Sequence, residues 1–241
     1  MLYITRQGHG GVSALKTLTV ISQKGGVGKS TLTANLAGCA ARHGLGVVLI
    51  DLDPQGSVHG WNESRAGGQR FSSVRTTGAG LPAALALAER AGIGLALIDT
   101  APRSDAETLV AARRSDLALI VTQPQRFDLE AAATTINLML AAKVAFAVVL
   151  NLVPQGFRLA ERARALLQQQ DGIIVLPHMI RRRATISNAL TDGRTAQEAE
   201  PDGPAAAEIE AVFAALARRL DLPLRAGAPV AAAAASPEPG H

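Results

Sequence analysis

Cysteine is almost missing from these 241 residues, with Cys39 as its sole representative. One thiol closes no internal disulfide and cannot supply the several thiolates of an iron–sulfur cluster within one subunit. Aromatic residues make up only 3% of the chain, with one Trp and one Tyr, so Ala, Leu, Val and Ile carry most of the 48% hydrophobic content. No apolar run approaches the roughly 18 residues of a membrane-spanning helix, and no signal-peptide pattern opens the chain. The chain is therefore expected to stay in the cytoplasm. Acidic residues number 20 against 24 basic ones, a net charge of +4 that favours polyanions. Lysine itself is scarce, with four against twenty arginines.

Two of those four lysines stand five residues apart in Lys24-Gly25-Gly26-Val27-Gly28-Lys29-Ser30-Thr31. The last three places of the phosphate-loop pattern G-x-x-x-x-G-K-[ST] are filled by Gly28, Lys29 and Ser30, whereas Gln23 stands where the first glycine belongs. In such a loop backbone N–H groups face the phosphates, the lysine reaches them and the hydroxyl meets Mg²⁺. The run Thr17 to Ser22 reads as a buried strand and Thr31 to His43 as an alanine-rich helix. The loop thus lies at a strand-to-helix junction, where anions bind well.

Two further strands end in acids. Gly46 to Ile50 leads into Asp51-Leu52-Asp53-Pro54-Gln55-Gly56, and Leu95-Ala-Leu-Ile98 leads into Asp99-Thr100-Ala101-Pro102. In open α/β sheets ligands bind where strands exit at their carboxyl ends. Taken singly, Asp51 or Asp53 also suits a helix cap or an Asx turn before proline. In sequence after a phosphate loop, the acids point to Mg²⁺ and water chemistry.

Strands are expected near 17–22, 46–51, 71–75, 94–99, 116–122, 144–151 and 173–176. Helices are expected near 30–43, 80–91, 105–114, 127–141, 157–170, 184–191 and 204–220. This alternation predicts an α/β fold, a mostly parallel twisted sheet with helices on both faces. One domain would occupy 17–220, preceded by an extension (1–16) and followed by a Pro/Ala-rich tail (221–241) that reads as unstructured. The tail carries two prolines and one arginine over Leu222 to Pro229, too little for a membrane-binding amphipathic helix.

In this order and spacing, KGGVGKST, DLDPQGS and LALIDTAP resemble the ParA/MinD family of deviant phosphate-loop ATPases. The segments Val121 to Asp128 and Arg181 to Gly193 resemble its short plasmid- and chromosome-partition branch. The resemblance implies ATP and Mg²⁺ as cofactors, with Gly25, Gly26, Val27 and Gly28 forming the phosphate cradle. Lys29 would bind the β/γ-phosphates, Ser30 would ligate Mg²⁺ and Thr31 would contact the α-phosphate. Asp53 would position the attacking water, with Asp51 and Asp99 near the metal. Asn151 and Pro177 would lie on the adenine side, although Asn151 equally suits a plain strand-end turn. Lys24 would reach the nucleotide of a partner subunit, as an arginine finger does. With no carboxylate nearby in sequence, it looks unbalanced within a lone subunit.

The same resemblance implies an ATP-bound homodimer that binds DNA without sequence preference, associates with the nucleoid and answers to a centromere-binding, ParB-like partner. Arg158, Arg162, Arg181, Arg182, Arg183, Arg218 and Arg219 are the candidate DNA contacts, with local pairing to Glu161 or Glu210 as the alternative. The cargo would be plasmid or chromosomal DNA. Positioning of chemotaxis, secretion or cellulose-synthesis machinery, or a scaffold with incidental hydrolysis, are the other readings.

Overall fold

A computed structural model describes residues 14–65, 71–102, 104–154, 157–169 and 171–224. Six strands form one sheet in the order β3-β2-β4-β1-β5-β6, with every neighbouring pair parallel. They are β1 (Lys16–Ile21), β2 (Val47–Asp51), β3 (Ser72–Arg75), β4 (Leu95–Asp99), β5 (Leu117–Thr122) and β6 (Phe146–Leu150). The helices are α1 (Lys29–Arg42), α2 (Ser57–Glu63), α3 (Leu81–Arg90), α4 (Asp105–Ala112) and α5 (Arg126–Ala141). There follow α6 (Phe157–Leu167), α7 (Ala184–Thr191), α8 (Ala196–Ala199) and α9 (Pro204–Arg219).

A parallel sheet covered on both faces needs apolar residues at successive positions, and β2, β4, β5 and β6 are buried throughout. Alternate residues then serve two cores. Leu18, Leu49, Leu97 and Leu119 pack with α1 and α9 on one face, where Phe213 and Leu216 are fully enclosed. Ile98, Ile120 and Val148 face the opposite layer, formed by α3 to α6. Cys39 lies in the first core, where Gln197 donates to its sulfur at 2.9 Å. Burial, then the nearby Glu210 carboxylate, pushes its thiol pKa well up, so it serves as a packing residue.

Each expected helix is present. Two further ones, α2 and α8, are short, and distant groups hold them. The expected strand at 173–176 is corrected to a single bridge between Val175 and Val148. There Val148 donates to the Ile174 carbonyl and accepts from Leu176, and Pro177, which has no N–H, follows at once. The extension up to residue 13 and the tail from 225 lie outside the described residues. No helix among the described residues is long and apolar enough to cross a membrane.

The strand order positions the site. Neighbouring β1 and β4 send their following helices, α1 and α4, to opposite faces of the sheet. A crevice opens at their carboxyl ends, where Val20 pairs with Asp99 and Asp51 with Asp99 in register.

Candidate phosphate site at the carboxyl edge of the sheet

The loop from β1 enters α1 through Gly28, which takes φ 86° at the helix N-cap. A side chain there would be strained, and its Cβ would fall 2.6 Å from Nδ2 of Asn151. That same Nδ2 donates to the Val27 carbonyl at 2.7 Å, so Asn151 locks the loop from beneath. Nothing lies within 4 Å of a Cβ built on Gly25 or Gly26, which leaves the outer side of the loop open. The N-cap Gly28 has no side chain to cap α1 and no acid stands in its first turn, so its positive end faces that open side.

Lys29 and Asp99 carry the charge. Burial holds the Lys29 pKa below its ordinary value, with Asp99 and then Asp53 acting in the opposite direction. Asp99 is fully buried and accepts from Ser30 Oγ at 2.6 Å and Thr33 Oγ1 at 3.4 Å. Burial first, then Asp51 and Asp53, raise its pKa to about 7, against the pull of the Ser30 hydrogen bond and Lys29. A hydroxyl and a carboxylate in contact beneath an open glycine loop suit a magnesium nucleotide. Ser30 and Asp99 would hold the metal, while Lys29, Gly26 and the α1 N-terminus would hold phosphates. When bound, the metal supplies charge neutralisation for phosphoryl transfer.

A pH prediction follows. The ordinary Asp pKa is 3.8, so between about 4 and 7 folded Asp99 keeps a proton that the unfolded chain has lost. Stability therefore falls as pH rises through that window, and the full cost, at most about 4 kcal/mol, applies above it. Asp99→Asn should raise the melting temperature of nucleotide-free protein more at pH 8 than at pH 5, by scanning calorimetry. An equal gain at both values would contradict this.

Asp51 and Asp53 adopt the cap and the Asx turn that either acid suits when taken singly. The Asp51 carboxylate is fully buried and accepts three backbone N–H groups: from Asp53, Val58 and His59, each at 3.0 Å. It thus caps α2 and fixes the turn that bears Asp53, which places Asp51 in support of the site. Asp53 makes an Asx turn to the Gln55 N–H at 2.9 Å and remains part-exposed beside Lys29 and Asp99.

Lys24 corrects the expectation of an unbalanced charge. Its Nζ is 2.8 Å from Oδ2 of Asp128, in the first turn of α5 and 104 residues away in sequence. Asp128 is almost wholly buried, while the Lys24 side chain stays 40% exposed. One lysine thus points into the loop and the other lies along its outer edge. Gln23 donates to Asp105 at 2.7 Å and Gln123 to the Gly26 carbonyl at 3.3 Å, bracing that edge. Sequence reasoning gave Asp128, Asp105, Gln123 and Thr33 no role. For Asp128 the signal was present, because an acid in a helix's first turn beside core residues asks for a partner.

The remaining candidates separate. Thr31 is half-buried at the first turn of α1, and Pro177 is exposed, its carbonyl accepting from Arg164 at 2.7 Å. Arg181 and Arg183 both pair with Glu208, an acid not among the partners expected from sequence, while Arg182 is exposed. Glu210 pairs with His43 instead. Arg158 and Arg162 lie on α6, whereas Arg218 and Arg219 end α9 on the opposite face of the sheet. The seven arginines do not form one patch.

A parallel sheet with a glycine loop over a buried lysine and a serine–aspartate pair defines a phosphate-loop nucleotide-binding protein. The chain belongs to the family described as the CobQ/CobB/MinD/ParA nucleotide binding domain, which matches residues 18–196. It is 30% identical over 209 residues to the maintenance of carboxysome distribution protein A of Gloeobacter kilaueensis, covering 86% of this chain and 94% of that one. It is 26% identical over 229 residues to the chromosome-partitioning ATPase Soj of Thermus thermophilus, covering 80% and 91%. The fold superimposes on an ATP complex of Cyanothece McdA with a TM-score of 0.72 at 16% identity, covering 89% of this chain and 99% of that one. It matches the septum site-determining protein MinD with Mg-ADP from Pyrococcus horikoshii with a TM-score of 0.65 at 18% identity, covering 83% and 95%.

Proposed function

We propose that this protein is a magnesium-dependent ATPase whose ATP-bound homodimer binds DNA without sequence preference and is released by a partner protein, so distributing a cargo. The observation that carries this reading is the division of the two loop lysines. Lys29 is buried toward Asp99 and Asp53, while Lys24 lies outward on Asp128 with much of its side chain in solvent. An inward lysine serves the subunit's own phosphates. An outward one, bonded to a single carboxylate, is placed to turn toward a second subunit's nucleotide across a dyad.

Asp53 has one carboxylate oxygen engaged in its Asx turn and the other with no hydrogen bond to a described residue, and in this reading it orients the attacking water. Adenine would lie on the side of Asn151 and Pro177. DNA contact falls to the segment around Arg182, whose neighbours Arg181 and Arg183 are braced by Glu208. The partition resemblance makes plasmid or chromosomal DNA the cargo, with a centromere-binding partner. Similarity over nearly the whole chain to a carboxysome distribution protein supports a second reading, in which the cargo is a large protein assembly.

The test is Asp53→Ala. It should bind ATP, stall hydrolysis and elute as a dimer on size exclusion with ATP and Mg²⁺. That dimer should bind random-sequence duplex, and Arg182→Glu should reduce the salt slope of binding by about one or two contacts, each worth roughly 0.9. A variant that binds ATP yet stays monomeric would count against the dimer cycle.

A further inference from the structure

Helices α5 and α6 leave an open groove of about 610 Å³ between them, on the face of the sheet away from α1 and α9. Its floor and walls are apolar: Leu129, Ala133 and Ile136 from α5, Leu159, Leu166 and Leu167 from α6. Leu159 is 44% and Leu166 55% exposed, among the highest values for large apolar side chains described in this chain. Apolar surface concentrated in one concave strip marks a contact with another molecule.

We propose that this groove docks an amphipathic helix of a partner protein, apolar on the buried side and acidic along its flank. The wall residues on α5 recur at i, i+4 and i+7, spanning about 10 Å, or two turns. Two neighbouring helices with a furrow of that length accept a third helix through the same spacing on the incoming one.

Charge selects the occupant. The acid lining the groove, Glu130, is bonded to Arg126 at 2.9 Å, so that pair is neutral. Arg162 lines the groove and Arg158 flanks it one turn earlier, and neither has an ion pair among the described residues. Glu161 falls about 200° around α6 from Leu159, on the far side. The rim is thus net positive and asks for carboxylates. Duplex DNA would meet the arginines but leave the leucines against phosphate. A second copy seated groove to groove on a two-fold axis would set this positive rim against the same positive rim, a like-charge contact. This deepens the proposed function, on which it rests for the partner's role, because α5 also carries Asp128. A helix on Leu129 would lie one residue from the group that holds Lys24.

The test uses two fluorescein-labelled 14-residue peptides with leucines at i, i+3, i+4 and i+7, one flanked by glutamates and the other by lysines. By anisotropy with the full chain, the glutamate peptide should bind at least about tenfold more tightly, and Leu166→Glu should lose at least about tenfold of that affinity. Arg162→Glu should reverse the preference between peptides. Leu159→Gln, with its melting temperature recorded, guards against misfolding of Leu166→Glu. Equal binding of both peptides, or unchanged binding by both leucine variants, would overturn the proposal. So would Leu166→Glu converting a nucleotide-free dimer to a monomer, which would assign the groove to a second copy. Loss of random-duplex binding in Arg162→Glu with peptide preference intact would overturn it too. ATP turnover should persist in Leu166→Glu. A parent protein without turnover would strike the proposed function and leave the peptide result standing.

Discussion

Lys24→Ala is expected to lower ATP turnover at least about a thousandfold and to remove ATP-driven dimerisation. The affinity of a single subunit for nucleotide should stay within about tenfold, the factor that corresponds to roughly 1.4 kcal/mol. The split arises because Lys24 is bonded to Asp128 on the outer edge of the loop, whereas Lys29 is buried within it. A cation delivered across a dyad to developing charge in a water-poor site is worth several kcal/mol in the transition state and little in the monomer.

The substitution has a second effect that must be separated from the first. It leaves the nearly buried Asp128 carboxylate without its cation, and Oδ1 of that group already lacks a hydrogen-bond partner among the described residues. The fold should lose about 1–3 kcal/mol for that reason alone. Lys24→Ala combined with Asp128→Asn should recover the melting temperature without recovering turnover. Mixing Lys24→Ala with Asp53→Ala protein should restore some activity. In the mixed dimer an intact lysine from the Asp53→Ala subunit faces an intact Asp53 in the other. A Lys24→Ala enzyme with normal turnover would sink the two-subunit reading.

That Lys24–Asp128 pair also marks where the sequence stops being legible. The strands β2, β4, β5 and β6 were readable because a parallel sheet covered on both faces leaves runs such as Val47 to Ile50 and Leu95 to Ile98 with almost no polar interruption. The phosphate loop was readable because its glycines and lysine perform a local task within eight residues. Contacts between distant segments carry no such local mark. Helix α2 has a glycine in its middle and no acid in its first turn, and it stands because Asp51 receives its N-terminal N–H groups. Helix α8 has only four residues, yet a capping box between Thr195 and Glu198 closes it and Arg65 anchors Glu198 at 2.7 Å.

The arginines show the opposite error. Clustering along the chain suggested one basic surface, but a chain that crosses the sheet sends neighbours in sequence to different faces. Arg158 and Arg162 rim an apolar groove, and Arg218 and Arg219 end a helix on the other side. Two arginines of the Arg181–Arg183 run are bound by Glu208, 25 and 27 residues later. No single helix carries both partners, since Arg183 precedes α7 and Glu208 lies on α9, so only the fold could reveal the pairing.

Lys29→Ala should act on a different step, weakening ATP binding itself by at least about a hundredfold, or roughly 2.7 kcal/mol. A buried ammonium with a lowered pKa is a cation kept at a cost until an anion arrives, and a triphosphate repays that cost. Without it the phosphates would meet Asp99, Asp53 and Asp51 with no fixed positive side chain between them. Lys29 also holds the Asp99 pKa down, so its removal should push that pKa above about 7. At pH 6 Asp99 is then largely neutral in parent and variant alike, whereas at pH 8 it is more charged, and repels phosphate more, in the parent than in the variant. The affinity deficit of Lys29→Ala should therefore be smaller at pH 8 than at pH 6 in metal-free calorimetric titrations. Lys24→Ala, whose partner Asp128 stands apart from Asp99, should show no such narrowing. ATP affinity of Lys29→Ala within threefold of the parent at both values would remove Lys29 from the phosphate site. A deficit of the same size at pH 6 and pH 8 would keep Lys29 there but break its electrostatic link to Asp99.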